Sequence, residues 1–209
     1  MNTIEIASLL QPFLEPQSLS ADQIAKIESY LALLLKWNAK INLTAVRDAN
    51  EIVTRHFGES LFAARQFFPS GGSSLSAIDV GSGAGFPGLP MKLWAPLLEL
   101  TLVESNHRKA TFLREAVRAL GLSSVSVRSD RAEAISDQAD LVTFRAVERF
   151  EQILPVAINL VESGGRIGLL IGETQVEVAT SLAPEVCWTA PIRIPSSSNR
   201  VVLIGEKQA

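Results

Sequence analysis

The chain is poor in the residues from which disulfides and metal sites are built. Its 209 residues include one cysteine and two histidines. A single cysteine excludes an internal disulfide, and so few sulfur and imidazole ligands argue against a zinc site. We therefore expect no bound metal and a reducing compartment, with Cys187 buried as a small apolar side chain.

Long apolar runs and strong net charge are also missing. The first residues, MNTIEIASLL, lack the basic start and apolar stretch of a signal peptide, and the apolar run 31–35 is far too short to span a bilayer. These absences predict a cytoplasmic protein with no membrane contact. The net charge of −3 argues against general nucleic-acid binding, although an acidic body can carry a local basic face.

The composition is that of a globular protein, with 47% hydrophobic residues. Before residue 70 the pattern is helical. Ser20 and Gln23 form a capping-box pattern at the start of one helix, and a second helix is predicted from about Asp48 to Phe67. A loop is predicted at 69–74. We assign residues 1–70 to a helical extension packed on the core, and 71–209 to the main domain.

From residue 75 onward, predicted strands alternate with helices. The strands are LSAIDVG (75–81), LELTLVES (98–105), SSVSVRS (123–129), ADLVTFRA (139–146) and GRIGLLIG (165–172). Helices are predicted over 106–121 and 150–161. This alternation predicts an α/β fold with a parallel sheet and right-handed crossovers. Two further segments, VCWTAPIRIP and NRVVLIGE, flank the turn 196–198 and predict a terminal antiparallel hairpin.

A glycine-rich stretch, DVGSGAGFPGLP (79–90), follows the first predicted strand directly. Gly81, Gly83 and Gly85 allow the backbone to turn sharply and approach a ligand, and Gly88 allows the next helix to pack closely on the sheet. Gly83, Gly85 and Gly88 have the spacing of a dinucleotide-binding fingerprint. We expect Gly83→Val to abolish ligand binding and to leave the fold intact.

Two acids and one proline narrow the choice of ligand for the glycine-rich stretch. Glu104 lies at the end of the second strand, where a carboxylate can accept both hydroxyls of a ribose. Asp79 either orients the loop amides or contacts an ammonium group of the ligand. Pro87 removes an amide where a pyrophosphate would bind, and the sole tyrosine, Tyr30, lies far upstream. These features favour S-adenosylmethionine and methyl transfer, with an NAD-dependent oxidoreductase as the alternative.

Five segments carry a resemblance to a known family. They are KWNAKINLTAVRD (36–48), RHFGESL (55–61), IDVGSGAGFPGLP (78–90), RKATFLREA (108–116) and FRAV (144–147). Together they resemble the bacterial small-subunit ribosomal RNA guanine-N7 methyltransferase family, also called glucose-inhibited division protein B. The resemblance runs from about residue 20 to the end. It implies a class I, Rossmann-like methyltransferase that uses S-adenosylmethionine to methylate N7 of a guanine.

The resemblance also implies site residues. Gly81 and Phe86 line the cofactor, Ala132 and Glu133 flank its adenine, and Arg145 faces the cofactor and the incoming base. With the residues argued above, the predicted cofactor site comprises Asp79, Gly81, Gly83, Gly85, Phe86, Glu104, Ser105, Ala132, Glu133 and Arg145. The chain departs from the family at Ile171, where lysine is frequent, and at Glu59, where aspartate is more frequent.

The substrate side follows from the chemistry of guanine. N7 carries a free lone pair, so no general base is needed, and Arg145 is expected to position the guanine, the cofactor carboxylate or both. Candidate RNA contacts are Arg47, Arg55, His56, Arg108 and Arg200, with Lys36, Lys40, Lys109, Arg114 and Arg118 nearby. A structural role for His56 is equally compatible with the sequence.

A modest basic patch on an acidic body predicts weak binding of free RNA. We therefore expect a monomer that acts on small-subunit ribosomal RNA in an assembled or partly assembled ribonucleoprotein. A non-catalytic RNA-binding module and a methyltransferase with a non-RNA substrate remain as alternatives.

Overall fold

The computed structural model describes residues 1–69, 71, 74–146 and 149–208. The helices are α1 (Thr3–Leu14), α2 (Ala21–Asn38), α3 (Ala49–Ile52), α4 (Glu59–Phe67), α5 (Gly88–Trp94), α6 (His107–Ala119), α7 (Phe150–Asn159) and α8 (Gln175–Leu182). The strands are β1 (Ser76–Val80), β2 (Glu99–Val103), β3 (Val125–Arg128), β4 (Ala139–Arg145), β5 (Val161–Gly172), β6 (Val186–Trp188), β7 (Ile192–Arg193) and β8 (Arg200–Lys207). A π-helical turn (Val53–Gly58) joins α3 to α4, and a 3-10 turn (Ala132–Ala134) follows β3.

The described strands form one mixed sheet in the order β3-β2-β1-β4-β5-β8-β6, with β7 also paired to β8. Strands β1 to β5 are parallel, and β8 is antiparallel to β5. The predicted α/β fold with terminal antiparallel strands is confirmed. Because the chain leaves β1 toward β2 and later returns beside it as β4, a crevice forms at the carboxyl ends of β1 and β4.

Apolar side chains cover both faces of the sheet. One face carries Leu100 and Leu102 and belongs to an apolar core that also includes residues of α1, α2, α4, α5 and α6. The other face carries Val142 and Phe144 and packs on α7 and α8. Consecutive residues of β4 point to opposite faces, so a strand buried on both sides needs a continuous apolar run. The helices before residue 70 therefore share one core with the sheet.

The N-terminal helices largely follow the sequence pattern. At α2, the Ser20 hydroxyl accepts from the Gln23 amide at 3.2 Å, and the Gln23 side chain accepts from the Ser20 amide at 2.8 Å. Helix α1, which was not predicted, begins with a similar reciprocal cap. The helix predicted over 48–67 is present, but the π-helical turn interrupts it. Such a turn adds one residue to a single turn, which a periodicity argument does not reveal.

The C-terminal part requires more corrections. Helix α8 was not predicted, β5 begins before Gly165, and the first strand of the predicted hairpin is divided into β6 and β7. The expectation that Cys187 is buried was wrong. Its neighbour Val186 packs into the core, and alternation along β6 turns the Cys187 side chain to solvent.

Part of the loop predicted at 69–74 and Val147 of the FRAV segment lie outside the described residues. Among the helices described, none combines the length and apolar character needed to cross a membrane.

Candidate active site

The loop between β1 and α5 contains three glycines in the left-handed region of backbone conformation. Their φ angles are +66° at Gly81, +56° at Gly83 and +88° at Gly85. L-amino acids with a side chain rarely adopt this conformation, which explains the cluster of glycines. The chain thereby turns sharply at the carboxyl end of β1 and presents its backbone at the crevice.

The glycines of this loop differ in what surrounds them. A Cβ atom at Gly85 would collide with the Tyr30 hydroxyl and with Leu89, so Gly85 admits other parts of the protein. A Cβ atom at Gly83 would meet nothing nearer than the Gly81 carbonyl oxygen, at 3.8 Å. Gly83 therefore borders open space, as a loop that admits a ligand should.

Asp79 lies beneath this loop with an exposed fraction of 0%. One carboxylate oxygen accepts from the Gly88 amide and the other from the Thr143 hydroxyl, both at 3.2 Å. Burial raises the pKa of Asp79 to about 7. Of the two roles expected for Asp79, the geometry matches orientation of the loop, because the carboxyl has no surface for an ammonium group to contact.

Glu104 lies immediately after β2, beside the glycine loop, and only 7% of it is exposed. Its Oε2 accepts from the Gly83 amide at 2.9 Å, and its Oε1 accepts from the Asn106 amide at 2.8 Å. Each carboxylate oxygen has a second lone pair and can still accept from a ligand hydroxyl. The two amides hold the carboxylate next to the open space at Gly83.

The remaining predicted cofactor residues occupy the same edge of the sheet. Ser105 follows Glu104 and is exposed. Ala132 and Glu133 belong to the 3-10 turn after β3, the strand next to β2, and Ala132 is buried whereas Glu133 is exposed. A ligand held at Gly83 and Glu104 can extend toward this turn.

An aromatic cluster supports the loop from below. The Phe86 ring stacks on the Tyr30 ring, with centroids 5.5 Å apart and an angle of 8° between the planes. The centroid of the Phe86 ring also lies 5.1 Å from that of the His56 ring. The Tyr30 hydroxyl donates to the carbonyl oxygen of Ala84. Sequence reasoning assigned Tyr30 no role at the site. Its place on the apolar face of α2 was the one signal available, and that position is equally typical of a core residue.

Arg145 ends β4 on the side of the crevice opposite Glu104. Asp79 of β1 is paired with Thr143 of β4, and the two strands are parallel. Gly81 and Arg145 each follow two residues later, so their backbones lie side by side at the carboxyl ends of these strands. The Arg145 side chain is 11% exposed. Burial lowers its pKa, and the nearby Glu59 carboxylate opposes that shift.

Residues remote in sequence surround the Arg145 guanidinium. One terminal nitrogen lies 3.1 Å from His56 Nδ1, and the other donates to the Arg55 carbonyl oxygen at 2.6 Å and to Glu59 Oε2 at 3.0 Å. Glu59 Oε1 accepts from Arg200 Nε at 2.7 Å. Two residues predicted as RNA contacts, Arg55 through its carbonyl oxygen and His56 through its ring, thus contact Arg145, and a third, Arg200, shares the Glu59 carboxylate with it. Sequence reasoning missed the role of Glu59, because 86 residues separate it from Arg145.

The other predicted RNA contacts, Arg47 and Arg108, lie apart from that cluster. They line a cavity of about 540 Å³ between the end of α2 and the start of α6. Arg47 is held there by the Asn38 carbonyl oxygen and Asn42 Oδ1, each at 2.9 Å. A second cavity of about 350 Å³ shares Arg108 with the first. Together the two cavities are lined by the cations Lys36, Lys40, Arg47, Arg108 and Lys109 and by one acid, Glu115.

We call this pair of cavities the basic groove. Over the ranges 1–69, 71, 74–146 and 149–208, no salt bridge involves its cations Lys36, Lys40, Arg108 or Lys109. Asn106, two residues after Glu104, also lines the groove. Net positive charge therefore lies next to Glu104 and the glycine loop of an acidic protein.

In the part of the chain described, no three of His, Cys, Asp or Glu are grouped as metal ligands.

Sequence comparison finds a family that matches most of the chain. A family model, GidB, described as rRNA small subunit methyltransferase G, matches residues 23–192. The protein named Ribosomal RNA small subunit methyltransferase G from Xanthomonas axonopodis pv. citri is 39% identical over 197 residues, which cover 91% of this chain and 90% of that protein. The protein of the same name from Stenotrophomonas maltophilia is 43% identical over 194 residues, covering 91% and 89%.

Structural comparison supports the fold. The crystal structure of ribosomal protein L11 methylase from Lactobacillus delbrueckii subsp. bulgaricus matches with a TM-score of 0.62 at 12% identity, covering 74% of this chain and 79% of that one. A SAM-dependent O-methyltransferase from Thermotoga maritima matches with a TM-score of 0.59 at 14% identity, covering 72% and 64%. At this level of identity the likeness concerns the class I methyltransferase fold alone.

Proposed function

This chain belongs to the family of rRNA small subunit methyltransferase G, and we propose that its site between Gly83, Glu104 and Arg145 performs the reaction of that family. The enzyme methylates N7 of a guanine in small-subunit ribosomal RNA, with S-adenosylmethionine as the methyl donor. One observation carries the assignment of the site. The open space at Gly83 is bordered by the Glu104 carboxylate with its free lone pairs, and Arg145 ends the strand on the other side of β1.

The residues present fit S-adenosylmethionine. Glu104 is placed to accept the ribose hydroxyls, and the space at Gly83 is free of protein atoms. Ala132 and Glu133 offer an edge for the adenine. When bound, S-adenosylmethionine supplies a methyl group on a positively charged sulfur, which the lone pair of guanine N7 can attack without a general base or a metal ion.

The chain's own contribution is alignment and exclusion of water. Arg145 is held by buried partners and can fix the guanine in line with the methyl group without a loss of side-chain freedom on binding. Alignment of this kind contributes about 7–11 kcal/mol in favourable cases. Asp79 and the aromatic cluster keep the glycine loop in the shape that admits the cofactor.

We propose further that the basic groove binds the RNA backbone. Among the described residues, its cations Lys36, Lys40, Arg108 and Lys109 form no salt bridge, and Asn106 links the groove to Glu104. The end of α2 and the loop that follows it supply one wall of the groove, so we regard the helices before residue 71 as an extension that builds the substrate side of a single unit. The enzyme acts in the cytoplasm as a monomer, on assembled or partly assembled small subunits.

The cofactor assignment is tested by calorimetric titration of the purified protein with S-adenosylhomocysteine and, separately, with NAD. We expect binding of the first alone. Binding of NAD alone would overturn the methyltransferase assignment and restore the oxidoreductase alternative. N7-methylguanine is then measured after incubation with assembled small subunits and with protein-free ribosomal RNA. Equal methylation of both substrates would refute the preference for the ribonucleoprotein.

The basic groove is tested with charge-removing variants on one helix. Arg108→Gln removes a groove cation, and Arg118→Gln removes an exposed cation of α6 that does not line the groove. RNA affinity is measured at several salt concentrations. We expect only Arg108→Gln to lower the affinity and to reduce the salt slope by about 0.7–0.9. Equal effects of the two variants would mean that the groove is not the RNA-binding surface.

A further inference from the structure

The guanidinium of Arg145 is held in one orientation by buried groups. It donates to the Arg55 carbonyl oxygen at 2.6 Å and to Glu59 Oε2 at 3.0 Å, and its other terminal nitrogen lies 3.1 Å from His56 Nδ1. The Glu59 side chain is 2% exposed. A buried donor or acceptor without a partner is costly. If Arg145 turned away, the Glu59 carboxylate would be left buried without that partner, so the present orientation of the guanidinium is strongly favoured.

The contact with Arg145 determines the tautomer of His56. A guanidinium has only donors, so His56 Nδ1 must accept and the ring proton must lie on Nε2. Nε2 is 2.7 Å from the Thr44 hydroxyl oxygen, to which it therefore donates. Burial and the charges of Arg145, Arg55 and Arg200 lower the pKa of His56 to about 3. The ring thus stays neutral at physiological pH, and it links Arg145 to Thr44.

Thr44 belongs to the segment that forms a wall of the basic groove. Its hydroxyl also accepts from the Val46 amide at 3.2 Å, and its own amide donates to Asn38 Oδ1 at 3.1 Å. Arg47 bridges Asn38 and Asn42 in the same segment. These contacts tie residues 38–47 together, so the groove wall is connected through Thr44 to His56 and through His56 to Arg145.

Glu59 also fixes a second guanidinium. Its Oε1 accepts from Arg200 Nε at 2.7 Å, and Arg200 Nη2 lies 2.6 Å from the same oxygen. One carboxylate thereby holds Arg145 and Arg200 side by side, although the two like charges repel each other. Without the carboxylate, the more deeply buried of the two would lose its counter-ion.

We propose that Glu59 and His56 are positioning residues for methyl transfer, and that Thr44 couples Arg145 to RNA bound in the basic groove. Glu59 fixes the position of the Arg145 guanidinium. His56, in its Nε2–H tautomer, connects that guanidinium to Thr44 and so to the wall of the basic groove. This inference rests on the proposed function, in which Arg145 meets the guanine. The hydroxyl of Thr44 thus acts on the rate of methyl transfer without contact with the guanine.

The tautomer is tested by nitrogen NMR of protein labelled at histidine. The chain has two histidines, and a His107→Gln variant identifies the signals of His56. We expect the neutral Nε2–H tautomer throughout the range from about pH 5 to pH 8. A proton on Nδ1, or titration of His56 in this range, would overturn the proposed coupling. The measurement requires no activity, so its result is independent of the proposed function.

The coupling is tested with matched variants of Thr44. Thr44→Val keeps the shape and removes the acceptor for His56, whereas Thr44→Ser keeps the hydroxyl. We expect kcat of the valine variant to fall about tenfold or more, because small misplacements of a positioning group are that costly. The serine variant should retain kcat, and both should bind S-adenosylhomocysteine as the unsubstituted protein does. Full kcat in the valine variant would refute the coupling.

Variants of His56 separate the two ends of the link. An asparagine side chain places its oxygen near the position of Nδ1, and a glutamine side chain reaches the position of Nε2. We expect His56→Asn to retain more activity than His56→Gln, because only the first supplies an acceptor to Arg145. The reverse order would assign His56 a role other than positioning. If the unsubstituted enzyme methylates no small-subunit RNA, the proposed function fails, whereas the tautomer measurement stands.

Discussion

Replacement of Gly83 by alanine adds one methyl group at the centre of the proposed cofactor site. With φ at +56° and nothing within 3.8 Å of the new atom, the fold bears backbone strain but no collision. The left-handed conformation costs a non-glycine residue about 1–2 kcal/mol. In a chain of this size, each kcal/mol lowers Tm by about 2–4 °C. Valine at this position would disturb the fold more than alanine, because a β-branched residue tolerates the left-handed conformation poorly.

The same methyl group lies next to the amide that holds Glu104 and projects into the space proposed for the cofactor. A carbon atom there displaces part of the ligand or of the carboxylate. We expect the affinity for S-adenosylhomocysteine to fall at least about tenfold, which is about 1.4 kcal/mol of binding free energy. The loss of affinity should thus accompany a folded protein with a slightly lower Tm.

Gly121 offers a matched control. Its φ is +60° and no atom lies within 4 Å of a Cβ atom built there, so Gly121→Ala introduces the same strain at the end of α6. Gly85→Ala is the opposite case, because its Cβ atom collides with the Tyr30 hydroxyl and with Leu89. It should destabilise the fold more strongly than either of the other variants.

The assay combines thermal unfolding with calorimetric titration of S-adenosylhomocysteine. Gly83→Ala and Gly121→Ala should lose similar stability, and only Gly83→Ala should lose affinity. If Gly83→Ala binds the ligand as tightly as Gly121→Ala does, the space in front of Gly83 is not the path of the cofactor, and the assignment of the glycine loop is refuted.

Three further outcomes follow from buried contacts. The pKa of the Asp79 carboxyl is 3.8 in the unfolded chain and about 7 in the folded protein. Because only the unfolded chain loses this proton between these two values, the free energy of unfolding falls as the pH rises through that range. Relative to the unsubstituted protein, Asp79→Asn should therefore gain in Tm as the pH rises from about 4 to about 7, and a constant Tm difference would contradict this pKa. Tyr30→Phe keeps the stacking but leaves the Ala84 carbonyl without its donor, which should cost about 1–3 kcal/mol in denaturant unfolding. Gly168→Ala drives a methyl group into the Phe67 ring and should cost about 1–3 kcal/mol by the same measurement, whereas an unchanged midpoint would show that Phe67 moves aside freely.

The sequence predicted most of the elements that depend on local patterns. Alternation of apolar runs and helical periodicity marked the five parallel strands, and the reciprocal cap at Ser20 and Gln23 marked the start of α2. The left-handed glycines at the end of β1 were visible as a cluster because few other residues tolerate that conformation. The π-helical turn and α8 were missed, since neither leaves a strong periodic signal, and α1 was missed although its capping box at Asn2 and Glu5 is a local feature.

The candidate site was predictable in outline and not in its connections. Glu104 follows from its place at the end of a parallel strand, because such ends meet at one edge of the sheet, whereas the role of Arg145 was implied by the resemblance to a known family. The resemblance to a known family added the substrate. The exposed position of Cys187 shows the limit of composition as a guide, because its burial depends on which face of β6 it occupies.

The sequence by itself determined the α/β fold and the glycine loop and favoured S-adenosylmethionine over NAD, since these depend on patterns within short segments of the chain. Only the tertiary structure decided that Glu59 joins Arg145 to Arg200, that His56 is a neutral link to Thr44, and that Arg47 and Arg108 share one groove. These contacts join residues from separate helices and strands. Hydrogen bonds and ion pairs act over a few ångströms, and which side chains come that close is settled by how the helices pack on the sheet.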